Sequence, residues 1–369
     1  MLHEYNGGMA RKALTLQQQV GQLLIVGFDG TSMSAKLRSE LATVQPAGVI
    51  LFRRNIEDAL QTYGLVKELR ASVPTPMFHC IDLEGGTVDR LRDMIASAPA
   101  AESVYATGRK KIFREHGRLL GEECSALGFN TDFAPVSDLG FEISKKVLTT
   151  RTVSADPKKT IEYVREFLRG LSDAKVLGCG KHFPGLGEAT LDTHHELPSI
   201  GKSWGRLWAE DLLPYRELHK QFPFVMVAHA AYPAVTKDKT PASISKKWIT
   251  DVLRKKIGYQ GLIMADDLEM GGVQAAASVP DAAIATIAAG ADMFLICHND
   301  DHVWGSFNAV VREAEKSKAF RKLVETAAHR VMKFKSKSPS FPSAPTEKTV
   351  NKLRQKIWAL EEEIRLATI

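Results

Sequence analysis

Eight short apolar runs, each followed by a polar turn and most then by a helical pattern, constrain the fold of this chain more than any other feature. They cover residues 23–28, 48–52, 77–82, 131–136, 176–182, 224–229, 261–266 and 293–298. Most are unbroken runs of Val, Ile, Leu, Met and Phe, the pattern of parallel strands covered on both faces. Amphipathic helical segments lie between them, as at 160–171 and 246–256. Repeated β-then-α units imply an α/β fold, either an open doubly wound sheet or a closed barrel. The polar residues decide between the two. Asp82, the pair Lys181-His182, His229, Asp266 and His298 stand at the C-terminal ends of five different strands. A barrel gathers every such end around one mouth, whereas an open sheet would scatter several of them. The pattern therefore predicts a single (β/α)8 TIM-type barrel.

The ends of the chain read differently. Residues 1–15 form an N-terminal extension and 16–334 the barrel. Residues 335–346 form a polar connector rich in Pro and Ser, which cannot be helical throughout. Across 347–369, Val350, Leu353, Ile357, Leu360 and Ile364 recur at spacings of three and four, giving one apolar stripe on a helix. Docking on its own barrel is the reading preferred over a dimer contact, because two heptads are short for a coiled coil. A monomer is expected.

Composition excludes several partners. The formal charge is +6, but Lys and Arg are interleaved with Asp and Glu, with no basic stripe of the kind that holds nucleic acid. No stretch is long and apolar enough to span a bilayer, and the first residues lack the apolar core of an export signal. Cys80, Cys124, Cys179 and Cys297 show no close pairing, so buried free thiols and a reducing, cytoplasmic setting are expected.

Three segments could carry chemistry. In the first, a strand ends in Lys181-His182, turns at Pro184-Gly185, and enters a long loop bearing Asp192-Thr193-His194. An Asp two residues from a His can accept its N–H, fix its tautomer and raise its basicity, so that the imidazole gives and retrieves a proton. In the second, an apolar strand ends in Asp266-Asp267, which puts one carboxylate over the barrel mouth; the pair could equally cap the next helix. In the third, Asp82 runs into a Gly85-Gly86 turn with Arg90 just behind. That pairing suits directional bonds to sugar hydroxyls, or a structural ion pair.

Together these segments resemble the family-3 glycoside hydrolases, and within them the bacterial β-N-acetylglucosaminidases of NagZ type. The resemblance rests on Lys181-His182-Phe183-Pro184-Gly185 with its downstream Asp192-x-His194, and on Asp266-Asp267-Leu268-x-Met270. Stretches 47–55, 133–138, 151–157, 228–233 and 241–245 also match, in the family's order, over roughly residues 16–330. The resemblance implies a retaining β-N-acetylhexosaminidase with Asp266 as nucleophile and His194, oriented by Asp192, as acid/base. It implies that Asp82, Arg90, Arg151, Lys181 and His182 hold an N-acetylglucosamine ring, with His229 lining the same pocket. It implies a carbohydrate substrate from cell-wall fragments in peptidoglycan recycling, with no cofactor and no metal.

Two departures stand out: Leu186 replaces the family's usual His, and Arg151-Thr152-Val153-Ser154 replaces Arg-Ser-Phe-Gly. The first makes the loop entrance less polar. Rival readings are a metal-dependent hydrolase using His182, Asp192, His194 and His195, a silent sugar-binding barrel, and a phosphorylase or β-glucosidase on the same scaffold.

Overall fold

The computed structural model describes residues 14–335 and 341–368; most of the N-terminal extension and part of the connector lie outside them. Eight strands form one sheet: β1 Leu24–Val26, β2 Gly48–Leu51, β3 Phe78–Ile81, β4 Thr131–Asp132, β5 Cys179–Phe183, β6 Phe224–Val227, β7 Leu262–Asp267 and β8 Met293–Ile296. All pairings are parallel, in the order β4-β3-β2-β1-β8-β7-β6-β5. Parallel bridges Thr131–Leu177 and Val136–Lys181 join the two ends. The sheet is a (β/α)8 barrel. Its strands are shorter than the apolar runs, because several of the polar ends leave the ladder to form the mouth.

Side-chain alternation splits the core into two layers. Phe78 and Cys80, Cys179, Phe224 and Met226, Leu262 and Met264, and Met293 and Leu295 face the barrel axis. Their neighbours Ile81, Val225, Val227, Ile263, Ala265, Phe294 and Ile296 pack under the helices. The inward stride of two runs on to Asp82, Lys181 and Asp266, which is how an apolar strand delivers one polar side chain to the mouth. The other end of the barrel is plugged by the helix Lys318–Lys335. Phe334 packs there against Phe78 and Phe224, and the fully buried Lys335 donates to Gln22 Oε1 at 2.6 Å. Only one end is left open.

The segment expected as an α-helix over 246–256 is wound as a π-helix, Lys247–Lys256. Amphipathic spacing does not separate the two windings, since both bury Trp248, Ile249, Val252 and Leu253. All four cysteines are buried free thiols. No helix among the described residues is long and apolar enough to cross a membrane.

The C-terminal helix Glu347–Ala367 buries Leu353, Ile357, Leu360 and Ile364 on its own barrel. Arg354 Nε donates to the Ile95 carbonyl at 2.7 Å, and Lys356 pairs with Glu122 on the helix Lys110–Leu127 at 2.6 Å.

Candidate active site

At the C-terminal mouth lies a pocket of about 170 Å3. Asp266, at the end of β7, forms part of its floor, and its Oδ1 accepts the backbone N–H of Asp267 at 2.8 Å. Burial alone would raise the Asp266 carboxyl; nearby His182 and His229, that N–H and Lys181 together hold it below the usual carboxylate range. Asp267 meets the opposite fate. Burial pushes it up to about 7, and two neighbouring acids thereby acquire different charge states near neutrality.

One wall is a network of buried charges. Lys181 Nζ bonds Asp82 Oδ1 at 2.8 Å and Glu84 Oε1 at 2.6 Å. Arg151 grips Glu84 with two bonds of 2.8 and 2.9 Å. Burial opposes the charge on Lys181, but the two carboxylates hold its pKa above the usual lysine value. Arg90 reaches Asp82 only at 3.8 Å, and its side chain is 28% exposed where it lines the pocket, within reach of a ligand. The hairpin formed by Leu83–Gly85 and Val88–Asp89 sets this wall. Its turn requires φ of +80° at Gly85 and +58° at Gly86, which glycine adopts without strain. Asp132 Oδ1 anchors the hairpin through the Leu83 N–H at 2.9 Å.

His182 stands beside Lys181, both facing the pocket because β5 shifts register between Gly180 and Phe183. His182 Nδ1 donates to Asp138 at 2.7 Å, and Asp138 also accepts the Leu186 N–H at 2.7 Å. The loop beyond carries the acid–imidazole pair. Asp192 Oδ1 accepts both the backbone N–H of His194 at 2.9 Å and its Nδ1–H at 2.6 Å. Burial works against the Asp192 charge, but these two donors hold its pKa below the ordinary value. His194 is 63% exposed, so its Nε2 edge remains free at the rim. The loop is pinned over β7 where Gly271 and Gly272 N–H donate to the His194 and Thr193 carbonyls, each at 3.0 Å. A Cβ on Gly271 would collide with the His195 carbonyl, so the small residue sets how closely the dyad approaches Asp266.

Asp82, Arg90, Arg151, Lys181, His182, Asp192, His194 and Asp266 therefore line one pocket. His229 does not. It is fully buried behind the floor, Nε2 donating to the Asp267 carbonyl at 2.8 Å and Nδ1 bonded to Ser243 Oγ at 2.7 Å. Phe224 and Met226 face inward on β6, so five residues beyond Phe224 the stride points His229 outward. The four side chains considered for a metal do not converge, and no group of three or more potential ligands occurs among the described residues.

The pattern described as "Glycosyl hydrolase family 3 N terminal domain" matches residues 15–334. The chain belongs to glycosyl hydrolase family 3. Over 280 residues this family-3 enzyme is 36% identical to a beta-hexosaminidase of Tolumonas auensis, covering 75% of this chain and 83% of the other. Among solved structures it resembles a family-3 beta-N-acetylglucosaminidase from Paenibacillus, with a TM-score of 0.87 and 29% identity, covering 94% of this chain and 69% of that one. It also resembles NagZ from Neisseria gonorrhoeae, with a TM-score of 0.72 and 25% identity, covering 94% and 98%. The enzyme is a glycoside hydrolase of the NagZ-type β-N-acetylhexosaminidase branch.

Two polar residues of this family-3 site escaped the sequence reading. Glu84 follows Asp82 by two, the same strand-side parity, and that spacing was a usable signal. Asp138 gave no such signal, since its partner His182 lies 44 residues away. Leu186, the departure from the family pattern, is buried and lines the pocket near the loop, where it presents an apolar surface.

Proposed function

We propose that the protein is a retaining exo-β-N-acetylglucosaminidase that removes a terminal β-linked N-acetylglucosamine from cell-wall fragments. The observation that carries this reading is one small pocket holding a stabilised carboxylate on its floor and an Asp–His dyad at its rim. Asp266 attacks the anomeric carbon as the glycosidic C–O bond breaks, and protonated His194 gives its proton to the leaving oxygen. Water then attacks the glycosyl-enzyme while His194 takes a proton from it, releasing the sugar with its configuration retained. Asp192 keeps the imidazole oriented and basic through both steps. Asp82, Arg90, Arg151, Lys181 and His182 bind the sugar's hydroxyl and acetamido groups through charge-assisted bonds.

A pocket of this size suits one terminal ring, which supports exo action. The family resemblance supports wall-derived substrates, peptidoglycan recycling and a cytoplasmic setting. The tail's docking on its own barrel supports a monomer. The test is hydrolysis of a chromogenic β-N-acetylglucosaminide beside the matching β-glucoside, with product configuration followed by proton NMR. Cleavage of the first alone, with retention, no dependence on phosphate and full activity in a strong chelator, is the expected result. Inversion, equal glucoside cleavage, phosphate dependence or loss of activity in chelator would each overturn it.

A further inference from the structure

His298 is a rim residue that the proposed chemistry leaves unused. It follows β8, where the inward stride ends at Cys297, so strand alternation alone does not place it in the mouth. Another element does. Glu269, two residues beyond β7, accepts the backbone N–H groups of Cys297 at 2.9 Å, His298 at 2.6 Å and Asn299 at 3.0 Å. The same carboxylate accepts His302 Nδ1–H at 2.7 Å. Four donors on one buried carboxylate fix the end of β8 against the end of β7.

The imidazole so placed lines the pocket and stacks on Phe52, with ring centroids 5.7 Å apart and planes at 27°. Arg54 closes on the same Phe52 ring at 4.6 Å. His298 Nε2 stands 3.8 Å from Asp267 Oδ2, too far for a hydrogen bond, and its side chain is 59% exposed. The ring is thus held but unspent. Of the groups assigned to the terminal sugar, Lys181 and His182 lie deeper and are nearly inaccessible. His298 instead shares the rim with His194: both line the same pocket, and both side chains are more than half exposed. A proton donor must touch the leaving oxygen, so whatever lies beside His194 at the rim meets the leaving residue.

We propose that His298, positioned by Glu269 and backed by Phe52, forms the binding wall for the leaving-group sugar, the second pyranose ring of the substrate. The ring stacks its apolar face on the imidazole, and Nε2 bonds one of its hydroxyls. His298 is then a specificity residue and Glu269 a positioning residue. The inference rests on the exo-β-N-acetylglucosaminidase reading, which cleavage of the aryl glycoside by the wild-type enzyme tests separately.

The experiment compares N,N′-diacetylchitobiose, which fills both positions, with free N-acetylglucosamine, which fills only the deep pocket, as a competitive inhibitor of aryl glycoside hydrolysis. His298→Ala is expected to raise KM for the disaccharide about tenfold, the worth of one stacked and bonded ring, with a smaller change in kcat. Inhibition by free N-acetylglucosamine should stay within about twofold of wild type, since a contact it does not make cannot change its affinity. Glu269→Gln replaces an acceptor oxygen with a donor facing backbone N–H groups, and should reproduce the same split without altering His298 itself. Unchanged disaccharide kinetics in His298→Ala, or equal weakening of the disaccharide and the monosaccharide, would overturn the proposal. If Glu269→Gln unfolds, the His298→Ala comparison alone decides.

Discussion

Replacing Glu84 by Gln should damage stability and sugar binding together, and the structure sets the scale. Among the described residues, Glu84 is the only carboxylate that bonds Arg151 and one of two that bond Lys181; the side chains of Glu84 and Lys181 are 4% and 3% exposed. Removing one partner of a buried pair costs about 3–5 kcal/mol, because a charge is left without compensation. Lys181 keeps Asp82 and Arg151 is partly exposed, so the low end applies, about 3 kcal/mol. At roughly 2 °C per kcal/mol for a domain of this size, the melting midpoint at neutral pH should fall by about 6 °C. Free N-acetylglucosamine should bind at least about tenfold more weakly, since Arg151 and Lys181 lose their fixed geometry. The pH dependence gives a sharper signature. Despite burial, Arg151 and Lys181 hold the Glu84 carboxyl well below its ordinary value. Its stabilisation is therefore present above the unfolded value near about 4.3 and is lost as pH falls below it. The gap between wild type and Glu84→Gln should narrow by about 1.4 kcal/mol for each pH unit below that point. Thermal unfolding from pH 7 to pH 3, with inhibition measured alongside, reads all three effects. A variant with unchanged midpoint and unchanged inhibition, or a gap that widens in acid, would refute the ion-pair reasoning.

Asp266→Ala should retain the fold and lose activity by orders of magnitude, because no other group can form the covalent intermediate; more than about a tenth of wild-type turnover would move the nucleophile elsewhere. His194→Ala should slow glycosides with poor leaving groups far more than activated aryl glycosides, and azide should partly restore it with retained configuration. Asp192→Ala should follow the same trend more weakly, whereas equal losses on all substrates without azide rescue would reduce His194 to a loop anchor. Deleting the residues after Pro345 should lower the melting midpoint by more than about 10 °C at roughly 2 °C per kcal/mol, since four buried apolar side chains at about 1.5–3 kcal/mol each leave the barrel wall. The solution mass should remain monomeric, and a dimer that becomes a monomer on truncation would contradict that docking.

The features legible from the residues alone were those governed by local spacing. Unbroken apolar runs revealed strands covered on both faces, and their polar ends marked one mouth. The stride of two carries Asp82, Lys181 and Asp266 inward wherever the strand stays regular. The dyad was equally readable, since Asp192 and His194 are two residues apart and their bond needs no distant partner. The same stride, followed from Phe224, points His229 away from the mouth, so its misplacement was avoidable.

What local spacing could not supply depended on where register breaks and on which distant groups closure brings together. His182 faces the pocket because β5 shifts between Gly180 and Phe183, an irregularity that the run of residue types does not disclose. Glu84 meets Arg151 67 residues away, and Glu269 takes the N–H groups of residues 28 to 30 positions on. Such contacts follow from barrel closure, which sets strand ends side by side whatever their separation along the chain. A buried carboxylate must find its donors in three dimensions, and only the folded chain determines which ones lie within reach.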